Sequence, residues 1–95
     1  MAYSLEFLPS ALKEWRALSG NARDQFKKKL QERLLSPHVP ASKLSGMPDG
    51  YKIKLRAAGY RLVYRVDGSV VTVVVVAVGR RDRNLVYKIA AGRTE

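Results

Sequence analysis

Lys52, Lys54 and Arg56 occupy every second position of YKIKLR, and Arg61 and Arg65 follow in GYRLVYR. Period-two spacing puts side chains on one face of a β-strand. The pattern therefore predicts a strand whose polar face is wholly cationic, with Tyr51, Ile53 and Leu55 on the other face. Ala57-Ala58-Gly59 reads as a turn into a second strand. A two-residue turn would set Arg56 opposite Arg61, Lys54 opposite Val63 and Lys52 opposite Arg65. Opposed residues share a face, so Lys52, Lys54, Arg56, Arg61 and Arg65 would form one patch, in a register that a bulge would shift. Arg80, Arg81 and Arg83 of GRRDR add cations beyond the last strand, and Tyr60, Tyr64 and Tyr87 supply rings.

Like charges on neighbouring strands repel, so stability alone explains such a face poorly. Two outcomes make physical sense. Phosphates can neutralise it, the commonest fate of clustered Arg and Lys. Or a lysine among cations gives up its proton more readily and serves as a general base. The arginines would then stabilise a pentavalent phosphorane. The patch has the chemistry to bind RNA, to cut it, or both.

Other reactive constellations are thin. His38 in SPHVP is the single histidine, which excludes a two-histidine ribonuclease mechanism, and it reads as a solvated loop residue. Glu6, Glu14, Asp24, Glu32, Asp49 and Asp67 are scattered without metal-ligand spacing, so no metal or other cofactor is expected. Cysteine is absent, which excludes disulfides and zinc–thiolate sites. Trp15 falls on an apolar helical stripe and reads as core. Lys27-Lys28-Lys29 is either a solvated helix face or a second nucleic-acid contact.

The elements that must hold this patch fit in one domain, residues 1–95, at 46% hydrophobic content. Eighteen Lys+Arg against eight Asp+Glu leave +10, a balance suited to nucleic acid, ribosomes or an acidic protein. No signal peptide is visible, and the longest apolar run, Val70 to Val78, is too short for a bilayer. A cytoplasmic protein with no membrane partner is expected.

Ala2–Phe7 alternates weakly and reads as a first strand. Pro9-Ser10 opens a helix with Ser10 as N-cap, and Leu12, Trp15 and Leu18 make its apolar stripe. Ser19-Gly20-Asn21 ends it and caps a second helix with Phe26, Leu30 and Leu34 on one face. Ser36-Pro37 stops that helix. Residues 36–50 form a loop anchored by Leu44 and Met47. Asp67-Gly68 signals a tight turn into a valine strand, Val70 to Val78, apolar on both faces and so central in the sheet. Leu85, Val86 and Ile89 suggest a C-terminal helix closed by Gly92. The expected class is α+β: an N-terminal strand, an α-hairpin, a three-stranded antiparallel meander and a short C-terminal helix. The α-hairpin covers one sheet face and leaves the cations on the other.

ALKEW, then KLSGMPDGYKIKLRAAGYRLVYRV, then VVVAVGRRDRNLVY closely resemble the RelE family of bacterial toxins, within the RelE/ParE superfamily. The resemblance runs from Tyr3 to about Ala90 and implies a RelE-like, microbial-RNase-type fold. It implies a ribosome-dependent mRNA endonuclease that enters the A site of the 70S ribosome and cuts the codon there without a metal. The 2′-hydroxyl attacks the adjacent phosphate, leaving a 2′,3′-cyclic or 3′ phosphate and a 5′ hydroxyl. By position, Lys52 and Lys54 match the family's lysine pair, with Lys54 as general base. Arg61 matches the arginine that steadies transition-state charge. Arg81 matches the arginine proposed to protonate the leaving oxygen. A guanidinium hardly releases a proton, so a charge clamp fits Arg81 equally well. Tyr87 matches the tyrosine that stacks on the cut nucleotide.

The residues proposed for RNA binding are Arg56, Arg65, Arg80 and Arg83, with Lys27, Lys28 and Lys29 against ribosomal RNA. Ser45 departs from the basic residue often found there. The resemblance further implies a cognate RelB-like antitoxin that covers the basic face or displaces the last helix. Operator DNA is contacted only through that antitoxin. Leu85, Val86 and Ile89 are expected as the exposed apolar face it exchanges with. Three competing readings remain: a ParE-like DNA gyrase poison, whose relatives generally lack the Lys52, Lys54, Arg81 and Tyr87 set, a non-catalytic RNA-binding module, and an inactive toxin copy.

Overall fold

The structure is a computed structural model and describes residues 2–80 and 85–93. Strand β1 (Ser4–Phe7) leads into helices α1 (Pro9–Arg16) and α2 (Gly20–Leu35). A 3₁₀ turn, Pro40–Ser42, lies in the following loop. Strands β2 (Gly50–Leu55), β3 (Tyr60–Asp67) and β4 (Thr72–Arg80) follow, then helix α3 (Leu85–Gly92). The four-stranded sheet has the order β1-β4-β3-β2. The meander is antiparallel, and β1 adds to its β4 side in parallel. The valine strand β4 is thus interior, as its apolar character on both faces requires.

Helix α1 starts earlier than Ser10 suggested. Leu8 is the N-cap and Pro9 the first helical residue. Proline suits that place because its ring presets φ and its missing N–H would have had no partner. Ser19 does cap α2, its hydroxyl accepting from the Ala22 N–H at 3.2 Å. Ala11, Trp15, Leu18, Ala22, Phe26 and Leu30 are buried from the helical side and join Tyr51, Ile53, Leu62, Tyr64 and the β4 valines in one core. A fully buried side chain of this kind contributes about 1.5–3 kcal/mol.

Both turns of the meander are longer than two residues. Leu55 pairs with Tyr60, so Arg56–Gly59 forms the first loop. Gly59 takes a left-handed φ of 73° and its N–H donates to the Leu55 carbonyl at 2.8 Å. Asp67 pairs with Thr72, so β4 begins at Thr72 rather than Val70. The Asp67 carboxylate accepts from the Ser69 N–H at 3.1 Å and the Ser69 hydroxyl at 2.6 Å. That local bonding pulls the chain into a wider loop and holds the Asp67 pKa below its ordinary value, the Ser69 side-chain bond being the largest cause.

One residue of β4 is unmatched. Val63 pairs with Ala77 and Tyr64 with Val75, so Val76 is a bulge. Helix α3 lies against β3 and β4. Val86 meets β4 at Gly79, the register partner of Arg61, so α3 shares the face that carries Arg61 and Lys54. Val86 and Ala90 are its buried residues while Leu85 is 51% exposed. The expected exposed trio therefore holds for Leu85 but not for Val86, which packs where Gly79 has no side chain, and Ile89 is partly buried against the core. No helix among the described residues is long and apolar enough to cross a membrane.

Candidate active site

The four-residue loop slips the β2–β3 register by two positions from the tight-turn expectation. Lys54 faces Arg61, Lys52 faces Val63, and Gly50 faces Arg65. A slip of two preserves side-chain parity. Lys52, Lys54, Arg61 and Arg65 therefore still share one face, with Lys54 and Arg61 directly opposed. Arg56 leaves the ladder and enters the loop.

Helix α3 brings Tyr87 over this face. Its ring centroid lies 5.1 Å from the Arg61 guanidinium carbon and 6.0 Å from Lys52 Nζ. The ring thus lies near two cations and can take part in cation–π attraction to both. The Tyr87 hydroxyl is buried and has no hydrogen-bond partner among the described residues. Burial raises the phenol pKa above its ordinary value, with the Arg61 charge partly opposing this. Tyr87 is therefore a neutral phenol at physiological pH. It can donate a hydrogen bond and offer an aromatic surface, but it is no base.

Beside this pair, a cavity of about 190 Å³ is lined by Lys54, Leu55, Arg56, Tyr60 and Arg61. The Arg80 guanidinium carbon lies 5.8 Å from the Tyr60 ring centroid, and Arg80 is the register partner of Tyr60. Arg56 extends the cationic surface from the Lys54–Arg61 pair, whereas Arg80, one register step from Gly79, lines a separate cavity with Glu14, Val86 and Ile89. Around the β2 edge, a second cavity of about 270 Å³ is lined by Lys29, Arg33, Ala41, Ser42, Lys52, Ile53, Lys54 and Arg56. No carboxylate lines either of the two cavities that share Lys54 and Arg56. An anionic ligand with spaced charges, such as a polynucleotide backbone, matches that distribution.

The remaining expected residues divide. Arg65 shares the face but lies beyond buried Val63, two register steps from Lys52. Of the lysine run, Lys29 alone lines the cavity of Lys52 and Lys54. Lys27 and Lys28 border a shallow surface with Asn21, Asp24, Gln25 and Gln31. Arg81 and Arg83 lie outside the described residues. His38 is exposed and packs edge-on against Tyr3 and Tyr51. Among the described residues no cluster of His, Asp and Glu could hold a metal ion.

Two arrangements carried no sequence signal. Arg33 of α2 donates to Tyr64 Oη, Ser42 Oγ and the Lys52 carbonyl. Arg93 pairs with Glu14 at 2.8 Å and 2.9 Å and donates to the Val76 carbonyl at 2.9 Å. Glu14 also accepts the Val78 N–H at 3.0 Å. The first satisfies a carbonyl on the outer strand β2, and the second satisfies groups of β4 past Val75, the last residue paired with β1; only the folded topology creates either need.

A sheet bearing opposed lysine and arginine beneath a tyrosine, with an α-hairpin behind it, defines a small basic α+β protein with an anion-binding face. The profile for the ParE toxin of type II toxin-antitoxin systems, parDE, matches residues 5–85. The chain belongs to the RelE/ParE toxin family of bacterial type II toxin–antitoxin systems. On the RelE side of that family, it is 57% identical over 93 residues to the mRNA interferase toxin RelE of Escherichia coli K12, covering 98% of each chain. Its fold matches a free double arginine-to-alanine variant of E. coli toxin RelE with a TM-score of 0.91, at 54% identity and 100% coverage of both chains. The same variant in complex with a peptide of antitoxin RelB matches at 0.83, with the same identity and coverage.

Proposed function

We propose that this chain is a RelE-type toxin: an endoribonuclease that cleaves messenger RNA in the ribosomal A site and is neutralised by a RelB-like antitoxin in the cytoplasm. The observation that carries this reading is the approach of Tyr87 to Arg61 and Lys52, beside the Lys54–Arg61 pair. The 57% identity to a protein named mRNA interferase supports it across the whole chain.

The geometry suggests how the work divides. A nucleotide stacks on Tyr87, which aligns its 2′-hydroxyl with the adjacent phosphate. Lys54, in its neutral form, accepts the 2′-hydroxyl proton as the oxygen attacks phosphorus. Arg61 and Lys52 hold the extra negative charge on the phosphorane. The bond to the 5′ oxygen then breaks. That oxygen takes a proton, leaving a 2′,3′-cyclic phosphate and a 5′ hydroxyl. Arg81, as acid or charge clamp, belongs to this set by family resemblance. Arg56 and Lys29 border the same surface and suit neighbouring phosphates, and Arg80 is assigned to RNA by its charge at the end of β4. Arg65, Arg83, Lys27 and Lys28 are assigned to RNA by charge alone.

The ParE profile keeps a gyrase poison in view, but a shared fold does not choose between targets. Purified chain, ribosomes programmed with a defined mRNA, and primer extension decide it. A new 5′ end inside the A-site codon, absent on naked mRNA, is expected. No such end, together with inhibited gyrase supercoiling, would reverse the assignment.

A further inference from the structure

Arg33 stands apart from the residues that face RNA, yet it borders the same cavity as Lys52 and Lys54. Its Nη1 donates to Tyr64 Oη at 2.7 Å and, at a longer 3.4 Å, to the carbonyl of Lys52. Its Nη2 donates to Ser42 Oγ at 3.1 Å. Tyr64 Oη passes the chain onward, donating to the Pro37 carbonyl at 2.8 Å. One guanidinium thereby joins α2, the loop after it, β2 and β3.

Strand β2 needs such a tie. It is the outer strand of the sheet, and on its free side the loop pairs with its start, where Lys43 bridges Tyr51 and the Leu44 N–H donates to the Gly50 carbonyl at 2.9 Å, leaving the Lys52 carbonyl to Arg33. An edge strand can twist or slide wherever nothing holds its free side. Lys52 and Lys54 both stand on it, and Lys52 must keep its ammonium beside Tyr87. Tyr64 is a firm anchor for the bond, being fully buried and stacked on Tyr51 at 5.5 Å. Arginine alone offers a planar fork that reaches three acceptors at once.

We infer that Arg33 is a positioning residue for the nuclease site, fixing the β2 edge through Tyr64, Ser42 and the Lys52 carbonyl so that the lysines meet the reacting phosphate. This rests on the reading of the chain as an mRNA endonuclease. Arg33 needs no contact with RNA for the role. Its loss should slow the chemical step more than it weakens binding, because misplacement by fractions of an ångström acts on the transition state.

The test is single-turnover cleavage on programmed ribosomes, titrated with toxin, for wild type, Arg33→Met, Arg33→Lys, Tyr64→Phe and the Arg33→Met/Tyr64→Phe double variant, each with a melting curve. Arg33→Met should lower the maximal rate by about tenfold and leave the half-saturating concentration within about twofold. Tyr64→Phe keeps the ring and carries the test should Arg33→Met melt below the assay temperature. The double variant should lose no more than the worse single one, since both remove the same tie. Arg33→Lys should recover part of the rate. A wild-type chain that cuts, with Arg33→Met cutting as fast and merely melting earlier, overturns the assignment of Arg33 alone. A wild-type chain that makes no cut overturns the endonuclease reading and this inference with it.

Discussion

Replacing Gly79 by alanine should slow cleavage without altering any residue proposed to contact RNA. An alanine Cβ at position 79 would come to 2.9 Å from Val86 Cγ2. Ordinary contact starts at 3.4 Å, so the shortfall is about 0.5 Å. Val86 cannot rotate away cheaply, because a β-branched residue in a helix has essentially one χ1 well. The helix must move instead, and Tyr87 is its next residue. Overpacking of this size costs about 1–3 kcal/mol, against a gain of about 0.4–1 kcal/mol from the stiffer unfolded chain. The net loss of up to about 2.6 kcal/mol should lower Tm by up to about 10–20 °C in a domain of this size. If a 1 Å misplacement costs about 100-fold, half of that costs about tenfold in the cleavage rate.

Val86→Ala removes the clashing methyl. Alone it loses packing, but paired with Gly79→Ala it should restore much of the rate and part of the Tm. The coupling should exceed about 0.5 kcal/mol. Strictly additive losses, or Gly79→Ala cleaving at the wild-type rate, would refute the argument that α3 is seated through this contact.

Three further outcomes follow from the same structure. Arg93→Met removes the guanidinium donor from the Val76 carbonyl and from Glu14, which keeps the Val78 N–H, costing about 1–3 kcal/mol, less what solvent returns at a partly exposed pair. Urea titration checks this, and an unchanged midpoint would contradict it. Tyr64 and Tyr87 both have phenol pKa values raised mainly by burial. Their folded pKa values lie above the unfolded value of 10.0, so this stability is complete below pH 10 and declines as pH rises past it. A Tyr64→Phe chain should lose less stability between pH 9 and pH 11 than wild type, and an equal loss would remove Tyr64 from the account. Binding to single-stranded RNA should weaken steeply with salt, by a log–log slope of about −0.7 per phosphate contacted. Arg56→Ala should reduce that slope by roughly one contact, and a slope unchanged by that substitution would argue against Arg56 at the backbone.

The cationic face was legible because parity survives errors in register. Gly59 lengthens the first turn, yet shifting the pairing by two leaves Lys52, Lys54 and Arg61 on one side. A shift of one would have reversed the prediction. Val70 and Val71 misled because a valine run looks like strand, while the bonding of Asp67 to Ser69 bends them into a loop where Val71 takes a φ of 49°. The parallel seat of β1 beside β4 and the bulge at Val76 are set by packing between distant segments, which no local pattern records. Arg33, Glu14 and Arg93 were missed for the same reason. Each satisfies backbone or buried polar groups whose need arises only once strands, helices and loop have met.

The central claim is that the β2–β3 face cuts RNA through Lys54. The most direct measurement is primer extension on programmed ribosomes with wild type and Lys54→Ala, at matched concentrations and with matched melting curves. Lys54 does not belong to the buried core, so its truncation should leave Tm nearly unchanged. The account predicts a cut in the A-site codon by wild type, slowed by about 100-fold or more in the variant. An equally fast cut by a folded Lys54→Ala chain would contradict it.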